Sequence, residues 1–260
     1  MTRLVSGLAL ALGALALVWW LSSLQLLVVA LVVSALAFVE YARLARAVGA
    51  MLPFLPALAA TLAACAAVAL PWIPLPAFFG VMIVAVAVSL MASGQHGAAL
   101  FHAAAAGMLA PLYLGLPLGA LVGIHQQAGR EGVLAIVATV AASDTCQFYT
   151  GRAFGRRPLA PTISPKKTIE GAVGGLVLAP LALVAMAYWW LPRLPPLAVW
   201  VAGLGIVVAG IAGDLFESAL KRAAGVKDSS ALIPGHGGVL DRIDALLFAA
   251  PLFYLLVTLT

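Results

Sequence analysis

Asp214, Glu217, Ser218 and Lys221 are spaced at i, i+3, i+4 and i+7, which on a helix is one polar stripe. Asp241 and Asp244 repeat the i, i+3 spacing at the start of the last apolar segment. Two helix ends of this kind would converge three carboxylates at one boundary. Such hard oxygen donors suit Mg²⁺, which is held by one or two carboxylates plus substrate phosphates. An interhelical ion-pair set, for instance Asp214 with Arg242, would use the same residues, so spacing alone leaves both readings open. Between the carboxylates lie Lys227, Asp228, Pro234, Gly235, His236, Gly237 and Gly238. Glycines around a histidine let the backbone approach a ligand closely, and N–H groups in such a turn can cradle phosphate oxygens. The chain has no GxxxxGK[ST] motif, so a P-loop mechanism has no support.

A second polar cluster runs from Thr162 to Gly171 and carries Ser164-Pro165-Lys166-Lys167-Thr168 just before an apolar segment. Two adjacent lysines at a helix N-terminus suit a polyanion, because free N–H groups and the dipole favour negative charge there. A basic patch resting on anionic lipid is the plainer alternative. Asp144 and Gln147 share one helical face upstream; a carboxylate beside an amide can recognise a base or sugar, or cap the helix end. Other candidates carry less. His96 and His102 are six apart and off a common face, which argues against a shared metal, and Cys65 and Cys146 have no metal-ligand spacing.

The elements that must position these groups are apolar. Of 260 residues, 64% are hydrophobic and 9% charged, with a mean hydropathy of +1.13. Repeated apolar stretches of spanning length describe an all-α, polytopic helical integral membrane protein. A transmembrane barrel would alternate, and runs such as 24–39 do not. The segments read as spans are 4–20, 24–39, 54–72, 76–92, 98–123, 131–149, 171–191, 197–220 and 243–259. Segment 4–20 resembles a signal peptide, but a second span follows at once, so it is read as the first helix. Pro111 and Pro117 either kink segment 98–123 or divide it.

Charge asymmetry arbitrates. With nine spans and a cytoplasmic N-terminus, twelve of the fourteen basic residues fall on the cytoplasmic side and only Arg130 and Arg193 fall outside. Splitting segment 98–123 would destroy that bias. The net charge of +5 is thereby read as membrane orientation, and no nucleic-acid partner is expected. The chain reads as one domain, 1–260, with a mostly apolar part (1–130) and a catalytic half (131–260). Its two polar segments, Gly151–Glu170 and Ala223–Leu240, are separated by two spans and so would emerge on one face. Charge near a membrane is costly, which makes such clusters functional by default. The oligomeric state is left open, a homodimer included.

The segment Ser218–Asp244 resembles the phosphatidate cytidylyltransferases (CDP-diacylglycerol synthases). Ser218, Lys221, Arg222, Lys227, Asp228, Pro234, His236, Gly237, Gly238, Asp241, Arg242 and Asp244 meet every fixed position of that family's pattern. Ser164-Pro165-Lys166-Lys167-Thr168 with Glu170-Gly171 and Gly174-Gly175 is similar to its second motif. The stretch from Asp144 through Gly151-Arg152 to Phe154-Gly155 is similar to a third. The likeness is specific over 144–244 and architectural before it. One departure is Cys146-Gln147-Phe148-Tyr149, where many members have Ala-Tyr, and it bears on lipid preference.

The resemblance implies transfer of a cytidylyl group from CTP to phosphatidate, giving CDP-diacylglycerol and pyrophosphate. It assigns Asp214, Asp241 and Asp244 to Mg²⁺, with room for a second cation. Lys166, Lys167, Lys221, Arg222, Lys227 and Arg242 fall to the triphosphate and lipid phosphate. His236, Gly237 and Gly238 would shape the nucleotide loop, with Asp144 and Gln147 on the nucleotide side and Ser164, Ser218 and Asp228 in substrate contact. The nucleophile is already an anion, so no general base is required, and catalysis rests on positioning and charge neutralisation. A CTP-dependent polyprenol or dolichol kinase is the nearer rival and would release CDP. An ion-coupled transporter would instead carry its charges near helix centres, beside broken helices. A bacterial inner membrane, with the site facing the cytoplasm, is the expected location.

Overall fold

The computed structural model describes residues 13, 15–70, 74–192, 194–233, 235 and 237–260. Apolar segment 4–20 lies largely outside these residues. The described elements are α1 (Ser23–Ala47), α2 (Phe54–Ala69), α3 (Leu75–Ala92), α4 (Gly97–Ala110), a π-turn (Pro111–Gly115) and α5 (Leu116–Phe154). They continue with β1 (Pro158–Ala160), β2 (Ser164–Thr168), α6 (Ile169–Trp190), α7 (Pro196–Ala223) and α8 (Leu240–Leu259). Six helical stretches among the described residues are long and apolar enough to cross a membrane: α1, α3, the run 97–154, α6, α7 and α8. With 16 residues, α2 is shorter. The chain is an all-α integral membrane protein, as its composition predicts.

The described residues divide into two compact units, one within 1–123 and 220–242, the other within 124–219 and 243–260.

In the first unit, α1 opens on a capping box. The Ser22 hydroxyl accepts from Gln25 N, and the Gln25 side chain accepts from Ser22 N at 2.9 Å, satisfying two of the donors a helix start leaves over. Pro111 brings no N–H to the helical ladder, and the chain answers with a π-turn rather than a break. Segment 98–123 is therefore kinked, not divided. Around the kink, Gly115 and Gly119 lie one helical turn apart against α2. A Cβ on Gly119 would stand 2.5 Å from the Cys65 carbonyl oxygen and 2.9 Å from Val68 Cβ. Small residues allow this backbone approach, which packs helices where lipid offers no hydrophobic drive. Phe38, fully buried, meets Phe54 edge-on at 5.3 Å.

In the second unit, α5 is interrupted at Gly129, where φ 69° and ψ −173° leave the helical region. The run from 97 to 154 covers 58 residues, roughly 87 Å if straight at 1.5 Å per residue. That far exceeds a hydrocarbon core about 30 Å thick, and the run leaves the helical region at Gly129, between the segments 98–123 and 131–149. The polar segment Gly151–Glu170 is more ordered than a loop. Its first residues finish α5, and β1 and β2 then form an antiparallel hairpin pairing Pro158 with Thr168 and Ala160 with Ser164. Pro161 and Pro165 explain the extended backbone, because the residue before a proline is pushed out of the α region. Further on, α7 and α8 cross at Gly213, whose Cβ would lie 2.5 Å from the Asp244 carbonyl oxygen, and Phe216 packs on Phe248 at 5.6 Å.

Gly119→Leu is expected to cost about 1–3 kcal/mol through overpacking, read as a lower thermal midpoint of the purified protein in detergent. Gly80→Ala, where a Cβ meets nothing within 4 Å, is expected not to lower it. Equal midpoints for the two variants would contradict the close α2 crossing.

Candidate active site

The end of α5, the hairpin, the start of α6 and one residue of α7 enclose a cavity of about 520 Å³ in the second unit. Asp144, Gln147, Arg152, Lys166, Lys167 and Asp214 all line it. It is built on glycine. Gly171 sits where a Cβ would be 2.8 Å from the Gln147 carbonyl oxygen and 3.3 Å from Gly151 Cα, and Gly175 packs on the Gln147 side chain. Helix α6 starts at Thr168, whose hydroxyl accepts from Gly171 N at 3.1 Å, an N-cap that fixes the end of β2 against the helix. Glu170 accepts from Arg156 N at 3.0 Å and Arg157 N at 3.2 Å, tying the other end of the hairpin down. The two lysines of β2 are thus held at the cavity wall.

Lys167 pairs with Asp214, and Ser218 donates to the same carboxylate at 3.4 Å. The ion-pair reading of Asp214 named Arg242 as an example; the cation paired with it is Lys167, a hairpin residue remote in sequence. Gln147 donates to Ser143 Oγ at 3.0 Å. Asp144 and Lys166 are exposed, and Ser164 pairs with Ala160 in the hairpin without lining the cavity. Asp244 accepts from Ala245 N at 2.8 Å, its carbonyl against Gly213 at the α7–α8 crossing.

The first unit holds the other group. Lys221 donates to Asp241 Oδ1 at 2.5 Å, with side chains 12% and 5% exposed. Asp241 Oδ2 accepts from Ser229 N at 2.9 Å and Gly238 N at 2.7 Å, and lies 2.8 Å from Ser229 Oγ, whose one proton it shares with Glu40. Helix α7 ends at Ala223, Gly225 follows in the left-handed region at φ 72°, and Arg222 donates to the Val226 carbonyl at 3.1 Å. The next segment turns at Gly235 and Gly237, also at positive φ, and Ile233 N donates to the Gly237 carbonyl at 2.8 Å. Lys227, Asp228 and Arg242 are exposed. His236 and Pro234 lie outside the described residues.

Sequence reading missed Glu40. It is 2% exposed and accepts four hydrogen bonds from the 229–240 segment. The signal was a lone carboxylate inside an apolar helix, a position that demands an explanation. Among the described residues no group of three or more His, Cys, Asp or Glu side chains is gathered closely enough to hold a metal ion by itself.

Removing one partner of a buried ion pair strands the other. Lys221→Met is therefore expected to lower stability by about 3–5 kcal/mol, measured by thermal unfolding in detergent. Exposed Arg222→Met is expected to cost far less. Equal costs would contradict the importance of the Lys221–Asp241 contact.

The chain is 41% identical over 139 residues to the phosphatidate cytidylyltransferase of Helicobacter pylori (strain 26695), covering 54% of this chain and 52% of that protein. It is 39% identical over 154 residues to the phosphatidate cytidylyltransferase of Bacillus subtilis (strain 168), covering 58% and 57%. It is also 44% identical over 131 residues to the uncharacterized protein YnbB of Escherichia coli (strain K12), covering 49% and 43%. The chain thus spans about half the length of the curated relatives it matches. The sequence model of the cytidylyltransferase family matches residues 1–260, and the chain belongs to that family.

Proposed function

We propose that this protein transfers a cytidylyl group from CTP to phosphatidate, forming CDP-diacylglycerol and pyrophosphate. The observation that carries the reading is the cavity where Lys166, Lys167 and Arg152 share walls with Asp144, Gln147 and Asp214. Cations suited to a triphosphate stand there beside polar groups suited to a base or sugar. Family membership and the names of the relatives support the same chemistry.

In the proposed step a phosphate oxygen of phosphatidate attacks the α-phosphorus of CTP. The bond from that phosphorus to the bridging oxygen breaks, and pyrophosphate leaves with the electron pair. No side chain has to remove a proton, since the attacking oxygen is already ionised. The residues instead hold two anions together, and fixed cations are worth most in a site shielded from water. Lys166, Lys167 and Arg152 are assigned to the triphosphate. Lys221, Arg222, Lys227 and Arg242 are further cations of the family motif, and Ser164, Ser218, Asp228, His236, Gly237 and Gly238 belong to substrate contact by the same resemblance.

Asp214, Asp241 and Asp244 are the proposed ligands of Mg²⁺. Their oxygens are hard donors of the right kind, and this ion needs only one or two carboxylates when substrate phosphates complete its shell. Bound Mg²⁺ would supply charge neutralisation on the triphosphate, with a second cation possible on the same donors.

Nine spans, a cytoplasmic N-terminus and a bacterial inner membrane complete the proposal, supported by the excess of Lys and Arg assigned to one side. CTP would then meet the site from the cytoplasm and phosphatidate from the leaflet, in a monomer or a homodimer.

Purified protein given CTP, Mg²⁺ and phosphatidate is expected to release pyrophosphate and CDP-diacylglycerol in equal amounts, and EDTA to stop both. Release of CDP with a newly phosphorylated lipid would overturn the reading. Asp244→Asn is expected to abolish turnover in protein that remains inserted and folded, and Asp241→Asn to abolish it together with the loss of stability that stranding Lys221 brings. Either variant with near-normal turnover leaves the magnesium set. Lys167→Met is expected to lower kcat by about 10²–10³-fold, as for other lost transition-state donors.

A further inference from the structure

Glu40 belongs to α1, in the apolar part of the chain where the sequence points to no chemistry. Its carboxylate is nevertheless committed to the segment joining α7 to α8. Oε1 accepts from Ser230 Oγ at 2.6 Å and Val239 N at 3.0 Å. Oε2 accepts from Ser229 Oγ at 2.9 Å and Leu240 N at 2.8 Å. An ionised carboxylate offers about four acceptor sites; three donors are given to Glu40 alone, and the fourth, the Ser229 hydroxyl, is shared with Asp241. Both Glu40 oxygens are thereby engaged with this segment.

The donors matter as much as the acceptor. Val239 and Leu240 carry N–H groups at the start of α8, of the kind a helix leaves without intrahelical partners. Glu40 caps them from a different helix. Ser229 faces two ways, because its hydroxyl is also 2.8 Å from Asp241 Oδ2 and its N–H donates to that oxygen at 2.9 Å. Gly238 lies in the same knot: a Cβ there would run into Ser229 Oγ and both Glu40 oxygens, while its N–H donates to Asp241 at 2.7 Å.

We infer that Glu40 is a positioning residue for the cytidylyl transfer proposed above, and the inference rests on that reading. From α1 it holds residues 229–240 so that the Ser229 and Gly238 N–H groups aim at Asp241, which in turn holds Lys221. The residue touches no reacting atom in this role and acts through the segment it tethers.

Glu40→Gln is a sharp probe. Each carboxylate oxygen takes one serine hydroxyl and one backbone N–H. Either orientation of the amide therefore turns its NH₂ toward a backbone N–H. A hydroxyl can reverse its bond and a backbone N–H cannot, so one helix-start donor is always lost. In full-length protein, kcat/KM for CTP is expected to fall about 10–100-fold, as for other supporting shells, mainly through KM for CTP and with KM for phosphatidate unchanged. Simple loss of folded protein would lower apparent kcat and leave both KM values alone. Ser229→Ala in the Glu40→Gln background is expected to add less than it does alone, since both act on one contact.

Amide hydrogen exchange tests the tether without any activity. Val239 and Leu240 are expected to be protected in the unsubstituted protein and to lose protection in Glu40→Gln, while the middle of α8 does not change. Free exchange of both amides in the unsubstituted protein would overturn the inference, as would an unchanged KM for CTP in Glu40→Gln. If the variant does not fold, exchange in the unsubstituted protein and the KM of Ser230→Ala decide in its place. If the unsubstituted protein makes no CDP-diacylglycerol, the activity reading fails, and exchange still judges the tether.

Discussion

A carboxylate withdrawn from water must be matched by donors, and Asp241 shows what that demand imposes. Its side chain is 5% exposed and is met by the Lys221 ammonium, two backbone N–H groups and a hydroxyl. Leaving any charged group unpaired in such surroundings is far more costly than pairing it is favourable. The local chain is built around this constraint: α7 stops at Ala223, the following segment turns at Gly225, Gly235 and Gly237, and α8 begins where its first amides can be capped. Glu40 meets the same demand by taking those amides itself. The order of this segment therefore follows from two buried charges rather than from apolar packing.

Elsewhere the controlling quantity is distance between backbones. Lipid is as apolar as leucine, so helices gain little from burying greasy side chains against each other and gain instead from close approach. Gly115 and Gly119 facing α2, Gly171 and Gly175 facing α5, and Gly213 facing α8 are all places where a methyl group would collide with a neighbouring backbone or side chain. The Gly171 contact has a chemical consequence as well as a structural one. It fixes the start of α6 against the end of α5, and with it the hairpin that carries Lys166 and Lys167 to the wall of the cavity.

Much of this was legible in the residues. The apolar segments from 24 to 92 correspond to α1, α2 and α3, and those after 170 to α6, α7 and α8, because a helix satisfies its own backbone and depends on local sequence. The kink at Pro111 was legible as a choice between two outcomes, and a π-turn decided it. The hairpin at 158–168 was less visible. Three- and five-residue strands leave too little alternation to read, and Pro161 and Pro165 signal only that the chain is extended. Gly129 carried no signal of its own, since a glycine in an apolar run is as readily helical as not until the chain needs to leave the helix there.

By itself the sequence determined the class of protein and its family. Apolar length dictates spanning helices, and the fixed spacing of Lys, Asp and Gly between 144 and 244 is a local pattern that survives whatever path the rest of the chain takes. Only the tertiary structure decided which partner each charge has. Lys167 meets Asp214, Lys221 meets Asp241, and Glu40 meets Ser229, Ser230 and the first amides of α8. These pairings join residues far apart in the chain, so no periodicity encodes them. They arise because each buried charge must be paired by whichever donor or opposite charge the fold brings within reach.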